Sequence, residues 1–285
     1  MNTQGNVLCS IAEEDINADG SFIVPDGITK IGPAAFSGIK ALKSVVIPDS
    51  VGVIDTQAFE FCKNLESVIL PKNLKVIDEE VFGYCSNLTT VQLPEKLEHI
   101  KNDAFIQCTS LKNINLPATL KTIGRSAFSE AGLVEIIIPD NVTKIDKMAF
   151  YGCINLEKVT ISDNIIEIGF GAFLDCENLK SPEGVYKSFK KDMTGYGNYQ
   201  FKIGEWSDTV DVLDPHNKGY HYYTNLFEIF NSHYGELEKD FIVCLCEAGD
   251  TVVQGCDSTY VANTIKPVRR LTKTEIIKIL NGEKN

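Results

Sequence analysis

The chain is poor in the features that mark membrane, secreted and catalytic proteins. No apolar run approaches the roughly 18–20 residues that a helix needs to cross a bilayer, so no membrane partner is expected. Residues Met1 to Asp15 lack a basic segment followed by an apolar stretch and carry Glu13, Glu14 and Asp15, which does not fit a secretory signal. With residue 1 as the native start, a cytoplasmic protein is expected. There is no nucleophile elbow, glycine-rich phosphate loop or HExxH helix, so neither a cofactor nor a resident metal is expected. Positive charge is also scarce. Against 39 Asp and Glu stand 27 Lys and Arg, a net charge of −12. Residues 1–185 hold 25 acids and 15 bases, and residues 186–285 hold 14 and 12. Phosphate binding needs clustered Lys and Arg, so nucleic acid is disfavoured as a partner. The acidity serves solubility, or it attracts a protein partner with a basic surface.

What is present is a repeat. Phe recurs at 36, 59, 82, 105, 128, 150 and 173, in steps of 23 residues with a single step of 22. Pro follows in phase at 25, 48, 71, 94, 117 and 139, with Ser162 in the seventh place. Ile occupies 31, 54, 77, 100, 123, 145 and 168, and Leu occupies 42, 65, 88, 111, 133, 156 and 179. Four columns in phase over seven units define a solenoid of stacked repeats. Within one unit, Leu65, Val68 and Leu70 alternate with Ser67 and Ile69, the pattern of a short strand with one buried face. Pro71 has no N–H to donate and ends the pairing. A second extended piece is expected at Leu74–Ile77, then an acid-led turn of helix over Asp78–Phe82 that buries Phe82. Stacking at about 4.8 Å would align like residues into apolar spines. The short step lies between Phe128 and Phe150. It is placed in the loop Ser129–Leu133, because a deletion inside a strand would invert its inward and outward faces.

The units resemble the BspA-like class of bacterial leucine-rich repeats. The matching residues include Asn87-Leu88-Thr89-Thr90-Val91-Gln92-Leu93-Pro94 and Leu97-Glu98-His99-Ile100-Lys101-Asn102-Asp103-Ala104-Phe105-Ile106-Gln107-Cys108. The resemblance spans about residues 20–182. It implies a leucine-rich-repeat solenoid of the α/β type, built from 23-residue units of short strands and a helical turn, whose repeats are interaction surfaces. The expected organisation is an N-terminal cap at 1–20, the solenoid at 21–184, and a small α+β domain at 185–285 that caps the solenoid.

Five of the nine Cys share one repeat position: Cys62, Cys85, Cys108, Cys153 and Cys176. Ile39 and Ala131 fill the same slot in other units. A slot that takes Cys, Ile and Ala is small, apolar and buried, and the thiols are expected free. Cys244 and Cys246 alternate within an apolar segment. Their CxC spacing is uncommon for zinc, and no metal is expected there.

The outward residues of the first strands form two columns. One reads Ser44, Ser67, Thr90, Asn113, Glu135 and Lys158. The other reads Val46, Ile69, Gln92, Asn115, Ile137 and Thr160. These residues suit a pleated surface whatever their role. Aliphatic anchors beside hydrogen-bonding groups also make them the candidate partner-binding site, on the side that is concave in leucine-rich repeats generally.

The period stops at Leu179-Lys180-Ser181-Pro182. Beyond it lie most of the ten Tyr and the single Trp, Trp206. Strands are expected at Tyr199–Ile203, Phe241–Glu247 and Tyr260–Val268, with a helix at Tyr223–Ser232. A last helix begins at Thr272, with Glu275 completing a capping box. Stretches such as Tyr186-Lys187-Ser188-Phe189, Lys218-Gly219-Tyr220-His221-Tyr222 and Gly249-Asp250-Thr251-Val252-Val253 resemble an uncharacterised domain of phage and prophage proteins. His216, His221 and His233, near Asp211 and Asp214, read as solvated loop residues or as an acid–base site.

The leading expectation is a non-enzymatic protein that binds a protein partner through its solenoid. An alternative is a phage-encoded inhibitor of a bacterial defence protein, anti-CRISPR-like or similar, which the phage-domain resemblance implies. Another is an enzyme or transferase activity around His221 and Tyr222 in residues 185–285.

Overall fold

The computed structural model describes residues 1–179 and 271–283 in full. It also describes the backbone of six strands between them: Tyr186–Lys190, Tyr220–Tyr222, Phe241–Ala248, Val252–Gln254, Tyr260–Ala262 and Ile265–Arg270. The chain divides into two compact units. One is Met1–Ile165 with Gly171–Leu179, the other Ile166–Phe170 with Lys180–Asn285.

The first unit is a solenoid of stacked turns, as the 23-residue period requires. Strands Ser21–Ile23, Ser44–Val46, Ser67–Ile69 and Thr90–Gln92 form one parallel sheet, with Ser21, Ser44, Ser67 and Thr90 in register and Ile23, Val46, Ile69 and Gln92 in register. On a second side, two-residue strands pair Ile77, Ile100, Ile123 and Ile145 in the same parallel manner. At the amino end, a hairpin of Asn2–Gln4 and Val7–Ser10 joins this side, with Leu8 opposite Ile31.

Between the sheets runs the apolar spine. The seven Phe of the repeat are buried, and their rings stack 4.6–5.5 Å apart with planes within 19° of parallel. Phe22 closes the amino end of the ladder edge-on to Phe36, at 5.4 Å. The Ile, Leu and Val columns are equally buried, so each unit completes its core with its neighbours' side chains.

The third side corrects the expected helical turn. Over residues 55–62 the N–H groups alternate: Gln57, Phe59 and Phe61 donate to Glu79, Val81 and Gly83 of the next unit, whereas Ala58, Glu60 and Cys62 donate three residues back. In an α-helix the N–H groups point along the axis toward the preceding turn, so none is aimed sideways at the next unit. Two left-handed residues per unit allow the alternation. The first column of positive φ is Ala34, Gln57, Glu80, Asp103, Ser126 and Met148, and the second includes Phe61, Tyr84, Gln107, Glu130 and Asp175. Each costs an L-residue about 1–2 kcal/mol, offset by the inter-unit bond it permits.

The cysteine column is buried and unbridged, as expected. Its thiols also hydrogen-bond. Cys62, Cys85, Cys108, Cys153 and Cys176 donate to the carbonyls of Phe36, Phe59, Phe82, Phe128 and Phe150 at 2.9–3.2 Å. Burial pushes the Cys62 thiol up to about 12 and Cys85 and Cys108 also upward, and a hydrogen bond with Cys176, then burial, raises Cys153, so these are inert thiols.

The short step falls where the sequence placed it. Ala131 takes the cysteine slot and Leu133 the leucine slot, with Gly132 alone between them. A Cβ on Gly132 would lie 2.1 Å from the Thr109 carbonyl oxygen, so the shortened loop accepts glycine alone.

In the second unit, Lys273–Leu280 is an α-helix with the expected box. The Thr272 hydroxyl accepts from the Glu275 N–H, and the Glu275 carboxylate accepts from the Thr272 N–H at 2.7 Å. Its residues Ile276, Ile277, Ile279 and Leu280 are buried. The strand Phe241–Ala248 matches its expected place and pairs antiparallel with Tyr186–Lys190 and Ile265–Arg270. The single strand expected at Tyr260–Val268 is two, Tyr260–Ala262 and Ile265–Arg270, in different sheets. Tyr199–Ile203 and Tyr223–Ser232 lie outside the described residues.

Candidate functional site

The parallel register brings most of the outward columns together. Ser44, Ser67 and Thr90 stand on adjacent strands, beside Val46, Ile69 and Gln92. Glu135 and Ile137 stand beside Lys158 and Thr160 on a separate pair of strands. Each strand buries its central residue, so the flanking side chains face outward. Ile69 is 60 % exposed, Ile137 65 % and Val46 37 %. Ser44, Ser67 and Thr160 are half-buried, and Thr90, Gln92, Glu135 and Lys158 are exposed.

Two departures alter the expected strip. The structure extends it by one unit at the amino end, where Ser21 and the 67 % exposed Ile23 continue the two columns. The signal was present in the sequence: Phe22 precedes Pro25 as Val45 precedes Pro48. The strip is also not continuous. Asn113 and Asn115 are exposed but lie on no strand, and the sheet breaks there. Asn is disfavoured in strands, and the break adjoins the shortened loop, where the Gly132 N–H donates to Cys108 and the Val134 N–H to Lys112. The intact part is therefore a ladder of Ile23, Val46 and Ile69, flanked by Ser21, Ser44 and Ser67.

The third side carries a cluster that the sequence columns did not single out. Phe61, 42 % exposed, stacks on Tyr84 of the next unit with ring centroids 4.6 Å apart. In the same two turns, the side chain of Glu60 lies over Gly83, where its Cγ would be 3.6 Å from a Cβ, and is buried although charged in type. Burial, then the neighbouring Glu80 carboxylate, pushes the Glu60 carboxyl up to about 7. Glu80 accepts a hydrogen bond from the Gln57 amide at 2.6 Å. The 23-residue separations of 61 from 84 and 57 from 80 were visible in the sequence; the burial of Glu60 was not.

Elsewhere the surface carries cross-unit ion pairs. Lys75 and Lys121 flank Glu98 and, through hydrogen bonds led by Lys121, lower its carboxyl to about 2, and Lys101 pairs with Asp78 at 3.0 Å. No group of three or more His, Cys, Asp or Glu among the described residues is placed to hold a metal ion. No helix among them is long and apolar enough to cross a membrane. His221 belongs to the strand Tyr220–Tyr222 rather than to a loop, while His216 and His233 lie outside the described residues.

The repeat geometry agrees with the comparisons. Residues 20–133 and 98–203 match the BspA type Leucine rich repeat region, in six copies, and the chain belongs to that family. Residues 184–279 match a Domain of unknown function (DUF7666). A leucine rich repeat protein of T. pallidum is similar in structure, with a TM-score of 0.57 and 29% identity over 61% of this chain and 82% of that one. A leucine rich cell surface protein of Faecalibacterium prausnitzii A2-165 is similar with a TM-score of 0.53 and 28% identity, over 58% of this chain. The match spans about half of that protein, 51%. No curated protein matches the chain.

Proposed function

We propose that the chain is a non-enzymatic binding protein that takes a protein partner on the outward face of its first sheet. The observation that carries this is the exposed aliphatic ladder of Ile23, Val46 and Ile69 on three adjacent strands. Solvent-facing strand positions ordinarily favour polar residues, and three aliphatics in register form a contiguous patch with the makings of an interface core. Ser21, Ser44, Ser67 and Thr90 supply hydrogen-bonding groups along one edge. The rigid backbone beneath, fixed by pairing on three sides, lowers the entropy lost on binding. A partner with a basic rim suits the acidic solenoid, since complementary charge speeds encounter.

The test uses the whole chain as bait against lysate, with captured proteins identified by mass spectrometry and the interaction then measured with the purified partner. Ile23→Glu with Ile69→Glu is expected to weaken that interaction at least tenfold while the melting temperature holds, because both side chains are exposed. Undiminished affinity in the double variant would refute the sheet-face site.

A further inference from the structure

We infer that the third side of the solenoid carries a receptor for a cationic side chain of a basic protein segment, formed by Phe61 and Tyr84 with the carboxylates of Glu60 and Glu80. This site is distinct from the sheet-face patch and does not rest on it. Three observations converge. First, the Phe61–Tyr84 pair is stacked and solvent-facing, although both residues occupy left-handed backbone positions where a small or flexible residue would be less strained. An exposed aromatic face attracts a guanidinium or ammonium group within about 6 Å. Second, in the same two turns Glu60 and Glu80 are brought together, and neither forms an ion pair among the described residues. Glu60 is buried with 8 % exposure, and Glu80 is half-buried. Third, other surface carboxylates of the solenoid recruit a lysine from a neighbouring unit, as at Asp49, Asp55, Asp78 and Glu98. At Glu60 and Glu80 the neighbouring units present Gln57, Glu79, Asp103 and Arg125, and Arg125 lies 3.8 Å from Asp103.

The chemistry of the site is therefore that of a cation receptor, with an exposed aromatic face and two carboxylates in the same two turns. An arginine or lysine laid on the aromatic pair would put its charge beside Glu80 and let Glu60 ionise. Binding would take protons off the carboxylate pair, so affinity should increase as pH rises through 7. Glu60 faces Glu80 and Gly83, and Glu80 in turn faces the Gln57 amide and the Asp103 carboxyl, which burial pushes upward, so these three carboxylates set the pH dependence.

The probe is a fluorescein-labelled peptide of alternating Gly and Arg, titrated by anisotropy against the intact chain at pH 5.5 and pH 8. Tighter binding at pH 8 is expected. Phe61→Ser with Tyr84→Ser, which leaves every charge in place, should weaken it about fivefold or more, within the range of a partly desolvated cation–π contact. Glu80→Gln should weaken binding at pH 8 and flatten the pH dependence. Asp49→Asn with Asp163→Asn, which removes two charges at distant exposed positions, should have little effect. If the distant pair weakens binding as much as the aromatic pair, or if the aromatic pair has no effect, the peptide is reading general acidity and the receptor is refuted. Ile23→Glu with Ile69→Glu should leave peptide binding intact, which separates failure here from failure of the sheet-face site.

Discussion

At the scale of single residues, stability and charge are tied to particular contacts. Phe105 sits in the middle of the stacked ring ladder, 5.3 Å from both neighbours. Phe105→Ala removes a fully buried ring and should cost about 3–5 kcal/mol in urea unfolding, whereas Phe173→Ala, with one ladder neighbour described, should cost a different amount. Negligible losses at both would contradict the ladder. Glu60 gives a pH dependence of definite sign. Its carboxyl binds a proton more tightly in the folded protein, about 7 against an ordinary 4.5, so its penalty is absent below about pH 4.5, grows as pH rises, and is complete above about pH 7. At about 1.4 kcal/mol per pKa unit the ceiling is near 3 kcal/mol, and partial screening brings it to about 1–2. Glu60→Gln should therefore raise stability by that amount at pH 8 and have little effect at pH 4.5, measured by thermal unfolding across the range.

At the scale of the element, the unit that departs from the period is the most informative. Gly132 joins Ala131 to Leu133 with no room for a side chain. Gly132→Ala should destabilise by about 1–3 kcal/mol, the usual cost of overpacking. Gly52→Ala, where a Cβ meets nothing within 4 Å, should be neutral or stabilise by about 0.4–1 kcal/mol. An inserted Ser after Ala131 should be tolerated, since it restores the length of the neighbouring loops. The same insertion between Val68 and Ile69 would turn Leu70 outward and should abolish cooperative unfolding. The elements also show what was legible. The paired strands of the units, apart from the break at Asn113 and Asn115, and the position of the deletion follow from alternation and period, which local sequence carries directly. The turn conformation did not, because Gln57, Glu80, Asp103, Ser126 and Met148 share a left-handed backbone and no common side-chain chemistry. What selects that backbone is the bond from each N–H to the next unit, an inter-unit contact that no single repeat displays.

At the scale of the molecule, a solenoid of stacked units and a carboxyl-terminal unit make up the chain. The sheet columns Ser44 to Lys158 and Val46 to Thr160 were readable as a face, because strand alternation fixes which side chains emerge. Their interruption at Asn113 and Asn115 was not, because it depends on how a shortened neighbour reshapes the pairing. The carboxylate pair of Glu60 and Glu80 was equally hidden, since Glu60 packs against Gly83 of the next unit, a contact that no single repeat displays. Acidity remains the molecular feature with the broadest consequence. Partner binding at either face should weaken as ionic strength rises, because exposed charges more than about 10 Å apart are screened at 0.1 M salt.

The sheet-face claim is tested most directly by site-specific cross-linking. A photoreactive amino acid placed at Ile69 should capture the partner identified with the intact chain. The same amino acid at Asn73 or Asn87, exposed positions off the sheet face, should not. Equal capture from all three positions, or capture from Asn73 or Asn87 alone, would contradict a partner seated on the ladder of Ile23, Val46 and Ile69.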